Sequence, residues 1–250
     1  MNFFSNRSIE LKVPNRASAN ETSEVAFGGE EGSAKRRRRR QACPLVLFMV
    51  LGLAACGDST TERISGPCPH WAIRVYSPDH METWIEALYV RDDHDRWMQI
   101  PQGMAGQLPQ TTGWSDLKGG GGGPRFLDAG APMEIYVRWQ SLVEPQTYNW
   151  RFTVPESMRE LLVKREMGKV WYKPRPEMAC RSDITVGVAP GGHAILWVAG
   201  KGLAPVEIMR GHATVEPLGP DQGLHEGRYV RISDEAKKYV EAHGIPYDSW

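Results

Sequence analysis

The sequence predicts an α+β protein of the β-rich kind, an antiparallel sheet or sandwich with two short helices packed at its side. Three observations predict it. Apolar and polar residues alternate with a period of two in run after run. Helical spacing with proper start and stop residues occurs in only two places. The strand runs also follow one another without the regular strand-helix alternation of a parallel α/β fold. The composition fits a folded body, since 41% of the 250 residues are hydrophobic and 24% charged, outside the disordered range.

The elements can be justified in chain order. His70–Tyr76 alternates, with Trp71, Ile73 and Val75 on one face. The stretch from Trp84 to Ile100 reads as two strands around the turn Asp92-Asp93-His94-Asp95. That cluster lacks the glycine and the bidentate glutamate of a calcium loop, so it reads as a hairpin turn. Residues 101–124 read as loop, ending in Gly119 to Gly123 and Pro124. A glycine run cradles phosphate only before a helix that opens with Lys and Ser or Thr. Here Pro124-Arg125-Phe126-Leu127 follows, and a flexible loop is expected.

From Met133 the alternation is clearest, with Ile135, Val137 and Trp139 against Tyr136, Arg138 and Gln140. After Pro145, Trp150, Phe152 and Val154 alternate with Arg151 and Thr153, which makes an antiparallel pair. Pro155 and Glu156 then open a helix whose stripe is Met158, Leu161, Leu162 and Arg165, with Gly168 to close it. Strands are expected at Ile184–Val188, Ala194–Ala199, Val206–Met209 and Tyr229–Ile232, with Pro190-Gly191-Gly192 as a turn. Ser233 caps a last helix that Gly244 ends.

The head of the chain is different in kind. Met1 to Ala34 is polar and aperiodic; then Lys35 and Arg36 to Arg40 abut the apolar run Ala42–Cys56. A basic region, a short apolar region and small residues make a secretory signal. About 15 apolar residues fall short of the roughly 20 that span a bilayer. Leu53-Ala54-Ala55-Cys56 has the form of a bacterial lipobox, so Cys56 is expected to carry the lipid anchor (acyl chains of the palmitate kind), and Gly57 after it directs the product to the outer membrane, facing the periplasm. Because a basic region normally lies close to the start, the first thirty or so residues read as an extension from a start site set too early. The expected organisation is an extension and signal over 1–55, a lipidated tether over 56–67 and one β-rich domain over 68–250.

Export makes the cysteines informative. Cys43 leaves with the signal and Cys56 is lipidated, which leaves Cys68 and Cys180 in an oxidising compartment. One disulfide is expected, closing a loop of more than 100 residues and contributing about 4 kcal/mol; two buried thiols are the alternative. Charge excludes a partner class. After residue 55 the chain has 21 basic and 25 acidic residues, with no basic body to meet the phosphates of nucleic acid.

No local catalytic motif is found. Gly113-Trp114-Ser115-Asp116-Leu117 lacks the second glycine of a nucleophile elbow, and the seven histidines show no zinc-binding spacing. No enzyme activity, metal or cofactor is therefore expected. Of nine tryptophans, Trp71, Trp139, Trp150 and Trp197 fall in phase with apolar neighbours and read as core. Trp114 and Trp250 are out of phase and are expected at an exposed surface. Tyr136, Arg138, Gln140, Asn149 and Arg151 share the polar face of the central hairpin, where Arg and Tyr suit a partner contact, although an ordinary solvated sheet face has the same pattern.

Five stretches together resemble one family. They are the lipobox, the block from Glu134 to Tyr148 with Arg138-Trp139-Gln140-Ser141-Leu142-Val143-Glu144 inside it, Arg159-Glu160-Leu161, Gly187 to Gly192, and the tail His243-Gly244-Ile245-Pro246-Tyr247-Asp248-Ser249-Trp250. The family is the DUF2931 family of bacterial lipoproteins. The resemblance carries over no catalytic residue. Members of such families often sit beside type VI secretion lipase effectors, so it implies a protein-binding module of the immunity kind, whose partner is a secreted effector. The alternative is a structural or glycan- or lipid-binding envelope lipoprotein that uses Trp114 and the glycine loop.

Overall fold

The computed structural model describes Cys68 and residues 70–101, 103–114 and 124–250. The expected export signal, the expected lipidation site Cys56, the expected tether and the glycine run lie outside these residues. The described residues all fall in one compact unit, Asp58–Trp250. Its strands are β1 (Trp71–Ser77), β2 (Thr83–Asp92), β3 (Trp97–Ile100), β4 (Gly103–Met104), β5 (Gly106–Gln107), β6 (Arg125–Phe126), β7 (Pro132–Ser141) and β8 (Gln146–Thr153). After helix α1 (Glu156–Val163) come β9 (Arg165–Gly168), β10 (Glu177–Cys180), β11 (Asp183–Val188), β12 (His193–Gly200), β13 (Leu203–His212), β14 (Thr214–Val215) and helix α2 (Asp234–His243).

The strands form two six-stranded sheets and one separate hairpin. The first sheet runs β13-β12-β11-β1-β5, with β6 also on β1; the second runs β14-β8-β7-β2-β3, with β4 also on β2. β9 and β10 pair only with each other. Ile73, Val75, Ile184, Val186, Leu196 and Val198 of the first sheet share one buried cluster with Ile85, Leu88, Ile135, Val137, Trp139 and Trp150 of the second. The expected sandwich is therefore present, and Trp71, Trp139, Trp150 and Trp197 are all buried. Met158 and Leu162 bring α1 onto the same core.

The predicted class stands with one refinement, and three elements within it need correction. β1 pairs with β11 in parallel, Ala72 opposite Asp183 through Tyr76 opposite Gly187, so the sheets are mixed. Local alternation carries no information on that choice. The first helix stops at Val163, and Lys164 is extended; Arg165–Gly168 pairs instead with Glu177–Cys180. Gly168 is needed for close approach, since a Cβ there would lie 2.6 Å from the Lys201 carbonyl oxygen. Residues 103–107 are not plain loop: β4 adds to one sheet and β5 to the other, so this segment crosses between them. Tyr229–Ile232 lies in no sheet, because the Val230 N–H is taken by the Gln140 side chain.

Cys68 and Cys180 are bonded, with their Cα atoms 5.7 Å apart. Each lies three residues before its strand, Trp71 and Asp183 respectively, so the bond continues the parallel pairing of β1 with β11. The Asp92 turn is anchored as firmly. The fully buried carboxylate accepts from the backbone N–H of His94, Arg96 and Gly130 and from the Arg96 guanidinium at 2.7 Å. Burial pushes its pKa up, but the Arg96 and backbone hydrogen bonds outweigh this and hold it at about 2.

Two expectations follow. Replacing Cys180 by Ser should cost about 4 kcal/mol, read as a lowered urea midpoint that reductant reproduces in the parent protein. Because the folded pKa of Asp92 lies below the ordinary 3.8, its contribution of about 2 kcal/mol is present above the ordinary value and is lost as pH falls through the folded one. The stability gap between the parent and Asp92→Asn should therefore close on acidification toward pH ~2, as measured by urea unfolding at a series of pH values.

Candidate functional site

The two sheets differ in what covers their outer faces. On the first, Leu108, Trp114, Ala189, Ile195 and Trp197 form a second apolar cluster, with Trp250 packed against it. This overturns the expected exposure of Trp114, which is 9% exposed. Its ring meets Trp197 edge-on at 5.7 Å and Trp250 at 6.0 Å. Gly187 makes the room, since a Cβ there would lie 2.7 Å from the Trp197 ring and 2.8 Å from the Trp114 ring. Trp250 is half-buried as the lid of this cluster.

Three of the family-like blocks meet at one end of the sandwich. Glu144 accepts a 2.9 Å hydrogen bond from the Gly191 amide and further ones from the Tyr148 and Tyr247 hydroxyls. Gly192 has φ +79° and carries the Tyr148 ring where a Cβ would sit 3.0 Å from it. Burial first, then Glu144, raises both phenols, Tyr247 to about 12. Next to them His193 is lowered by burial and by His212, whose ring lies 5.0 Å away. Glu144 is thus a clamp that fastens the carboxy-terminal tail to the turn at Pro190–Gly192.

The outer face of the second sheet is only partly covered. Between Ile85 and Ala87 the β2–β7 register shifts, and Glu86 is the extra residue of the bulge. The bulge turns its fully buried carboxylate to the side of Arg138 and Gln140. Glu86 accepts from Arg138 at 2.5 Å, from Gln140 at 2.9 Å and from the Asp221 amide at 2.7 Å. Gln140 in turn accepts from the Val230 amide at 2.8 Å, and Glu82 from the Ser233 amide at 2.8 Å. Two side chains of the sheet, with Glu82 just before β2, therefore hold three amides of a strap over residues 216–233. Burial alone would lower the Arg138 pKa, and the bonds to Glu86 and Tyr136 reverse this and raise it. The strap has no strand ladder, and Asp221, Gln222, His225 and Glu226 take left-handed backbone conformations, each at a cost of about 1–2 kcal/mol.

Beyond the strap the face is open, and strand register arranges it in two rungs. Trp97 lies opposite Arg91 and Arg91 opposite Glu134; Tyr89 lies opposite Tyr136 and Tyr136 opposite Arg151. Glu134 holds Arg91 at 3.1 Å and Arg151 at 3.3 Å. Both guanidinium groups approach the Trp97 ring, at 6.0 and 5.8 Å, and Arg151 is 5.5 Å from Tyr136. Trp97 is 44% exposed. Burial raises the Tyr136 phenol despite Arg138 and Arg151 beside it.

The residues expected to form one polar face thus divide. Tyr136 and Arg151 belong to the open patch, Arg138 and Gln140 lie beneath the strap, and Asn149 bonds to Glu216 at its edge. Sequence reasoning missed Trp97, Arg91 and Glu86. The signal for Glu86 was a charged residue within the apolar run from Trp84 to Val90. Near the Asp92 turn, Asp92, Asp93 and His94 come within 4.8 Å of one another, but Asp92 is already saturated by the turn it anchors.

Removing Glu86 leaves a buried guanidinium unpaired and frees the strap, so Glu86→Ala should cost about 3–5 kcal/mol. Urea unfolding measures that loss, and limited proteolysis should show new cleavage within 220–231 before the sheets open.

No curated protein and no solved structure matches the chain. One family model does, described as a protein of unknown function, DUF2931, over residues 58–248, and the chain belongs to that family.

Proposed function

We propose that this chain is an exported lipoprotein, anchored through Cys56 in the cell envelope, that acts as a protein-binding module and neutralises a secreted effector of the type VI kind. The observation that carries the binding part is the open patch of Trp97, Arg91, Arg151, Tyr136 and Tyr89 on a rigid sheet. Trp, Tyr and Arg are the residue types that dominate binding energy in interfaces. Here cross-strand neighbours and Glu134 hold them in place, so little side-chain entropy remains to be lost on binding. Anchoring rests on the lipobox, and the effector on the family resemblance.

The Asp58–Trp250 domain should capture the product of a gene flanking its own. Trp97→Ala or Arg151→Ala should weaken that capture by about thirtyfold, or 2 kcal/mol, measured by calorimetry. Failure to bind any flanking product would end the immunity reading. In cells, Cys56→Ala should abolish acyl labelling and release the protein from the membrane fraction.

A second reading has one observation in its favour. A cleft of about 310 Å³ opens between the sheets, lined by Ile73, Val75, Ile85, Leu88 and Ile100, with Arg74 and Tyr76. Its size and lining are at the lower end for small-ligand sites. A lipid or cell-wall fragment that raises the melting temperature of the domain would favour it; Trp114, expected to take part, lies in the separate outer cluster and does not line this cleft.

A further inference from the structure

The two largest exposed apolar groups in the β9–β10 hairpin stand at its tip. Trp171 is 93% exposed and Tyr172 55%, and their rings meet edge-on at 5.5 Å as one unit. On the strands below, Met167 and Met178 are cross-strand partners, and both side chains are exposed. The hairpin belongs to neither sheet of the sandwich, so exposing these groups contributes nothing to the core.

Charge is concentrated at the same place. Residues 164–181 contain six basic and two acidic residues, whereas the rest of the chain after residue 55 contains 15 basic and 23 acidic. Lys169, Lys173 and Arg175 flank the two rings in sequence, and the Lys201 ammonium lies 5.6 Å from the Tyr172 ring. Amphipathic rings beside Lys and Arg are the side chains that settle at the boundary between lipid headgroups and acyl chains, above all where the lipids are anionic.

The covalent structure places this hairpin on the leash of the chain. Its last residue, Cys180, is bonded to Cys68, and at most about 40 Å of extended chain separates Cys68 from Cys56.

We infer that the β9–β10 hairpin is a membrane-docking surface, with Trp171, Tyr172, Met167 and Met178 entering the interfacial layer of an anionic bilayer while the adjacent Lys and Arg meet lipid phosphates. The hairpin chemistry carries this by itself. The leash argument rests on the proposed lipidation of Cys56.

The test is vesicle flotation of the Asp58–Trp250 domain, which holds both sheets and the disulfide and lacks Cys56. It should float with vesicles of phosphatidylglycerol and phosphatidylethanolamine at low salt and stay down with phosphatidylcholine alone. The doubly substituted Trp171→Ser, Tyr172→Ser domain should partition at least tenfold less, with an unchanged melting temperature because both side chains are exposed. Lys169→Glu with Lys173→Glu should remove the salt-sensitive part of the binding. A parent domain that stays down with the anionic vesicles, or a double variant that floats as well as the parent, overturns the inference. So does a hairpin that proves to pair two copies of the chain in sedimentation. Acyl labelling of the full chain reports on Cys56 separately, so a failed hairpin and a failed anchor give different results.

Discussion

The parallel pairing of β1 with β11 is the constraint on which the rest of the domain depends. It joins the first strand of the unit to one more than 100 residues later, and everything between must fold as the excursion that this pairing closes. Loop closure on that scale is entropically costly before any contact rewards it. The disulfide supplies the closure at the point where the ladder begins, since Cys68 and Cys180 stand in nearly the same register as the paired strands. With β1 in place, β5 and β6 have an edge to join, and Ile73 and Val75 face the core from the first sheet.

The two sheets differ in how their outer faces are closed. β11 is buried along its whole length and β12 nearly so, because Trp114, Trp250 and the segment around Leu108 close the outer side of the first sheet. A face sealed in this way serves stability. The second sheet keeps one outer half open, and there the register sets Arg and aromatic side chains in rows across four strands. The strap closes the other half through side-chain acceptors alone. Amides held by Glu82, Glu86 and Gln140, without a strand partner and with four non-glycine residues in left-handed conformations, are held less cooperatively than amides in a ladder. Local opening draws on segments of that kind, and the bond from Asp221 to Glu86 is one of the three that hold this one.

What could be read in the sequence were the features that alternation and capping encode. The β2–β3 and β7–β8 hairpins, the last helix with its Ser233 cap and the four core tryptophans are decided by neighbours within ten residues. The features that could not be read depend on distant partners. Arg165–Gly168 has helical spacing behind it, yet it pairs with Glu177–Cys180, whose last residue is bonded to the distant Cys68. Trp114 appears out of phase because its neighbours are Trp197 and Trp250, more than 80 residues away in sequence. Of the site, Tyr136 and Arg151 were legible from alternation in one hairpin. Their division from Arg138 and Gln140 was not, because it is made by a strap that returns from residues 216–233.

The β9–β10 hairpin shows how such a distant partner can carry meaning. Two strands of four residues are too little to be stable alone, and this pair lacks a sheet to extend. It persists because the disulfide fixes one end and Arg181 bonds Glu166 across it at 2.6 Å. A fold that needed only to close its core would have no use for a cross-linked, strongly cationic projection tipped with an exposed tryptophan and tyrosine. The bond that stabilises the sandwich and the bond that holds this projection are one bond, so the element that begins the fold also determines which surface lies nearest the point where the chain enters it.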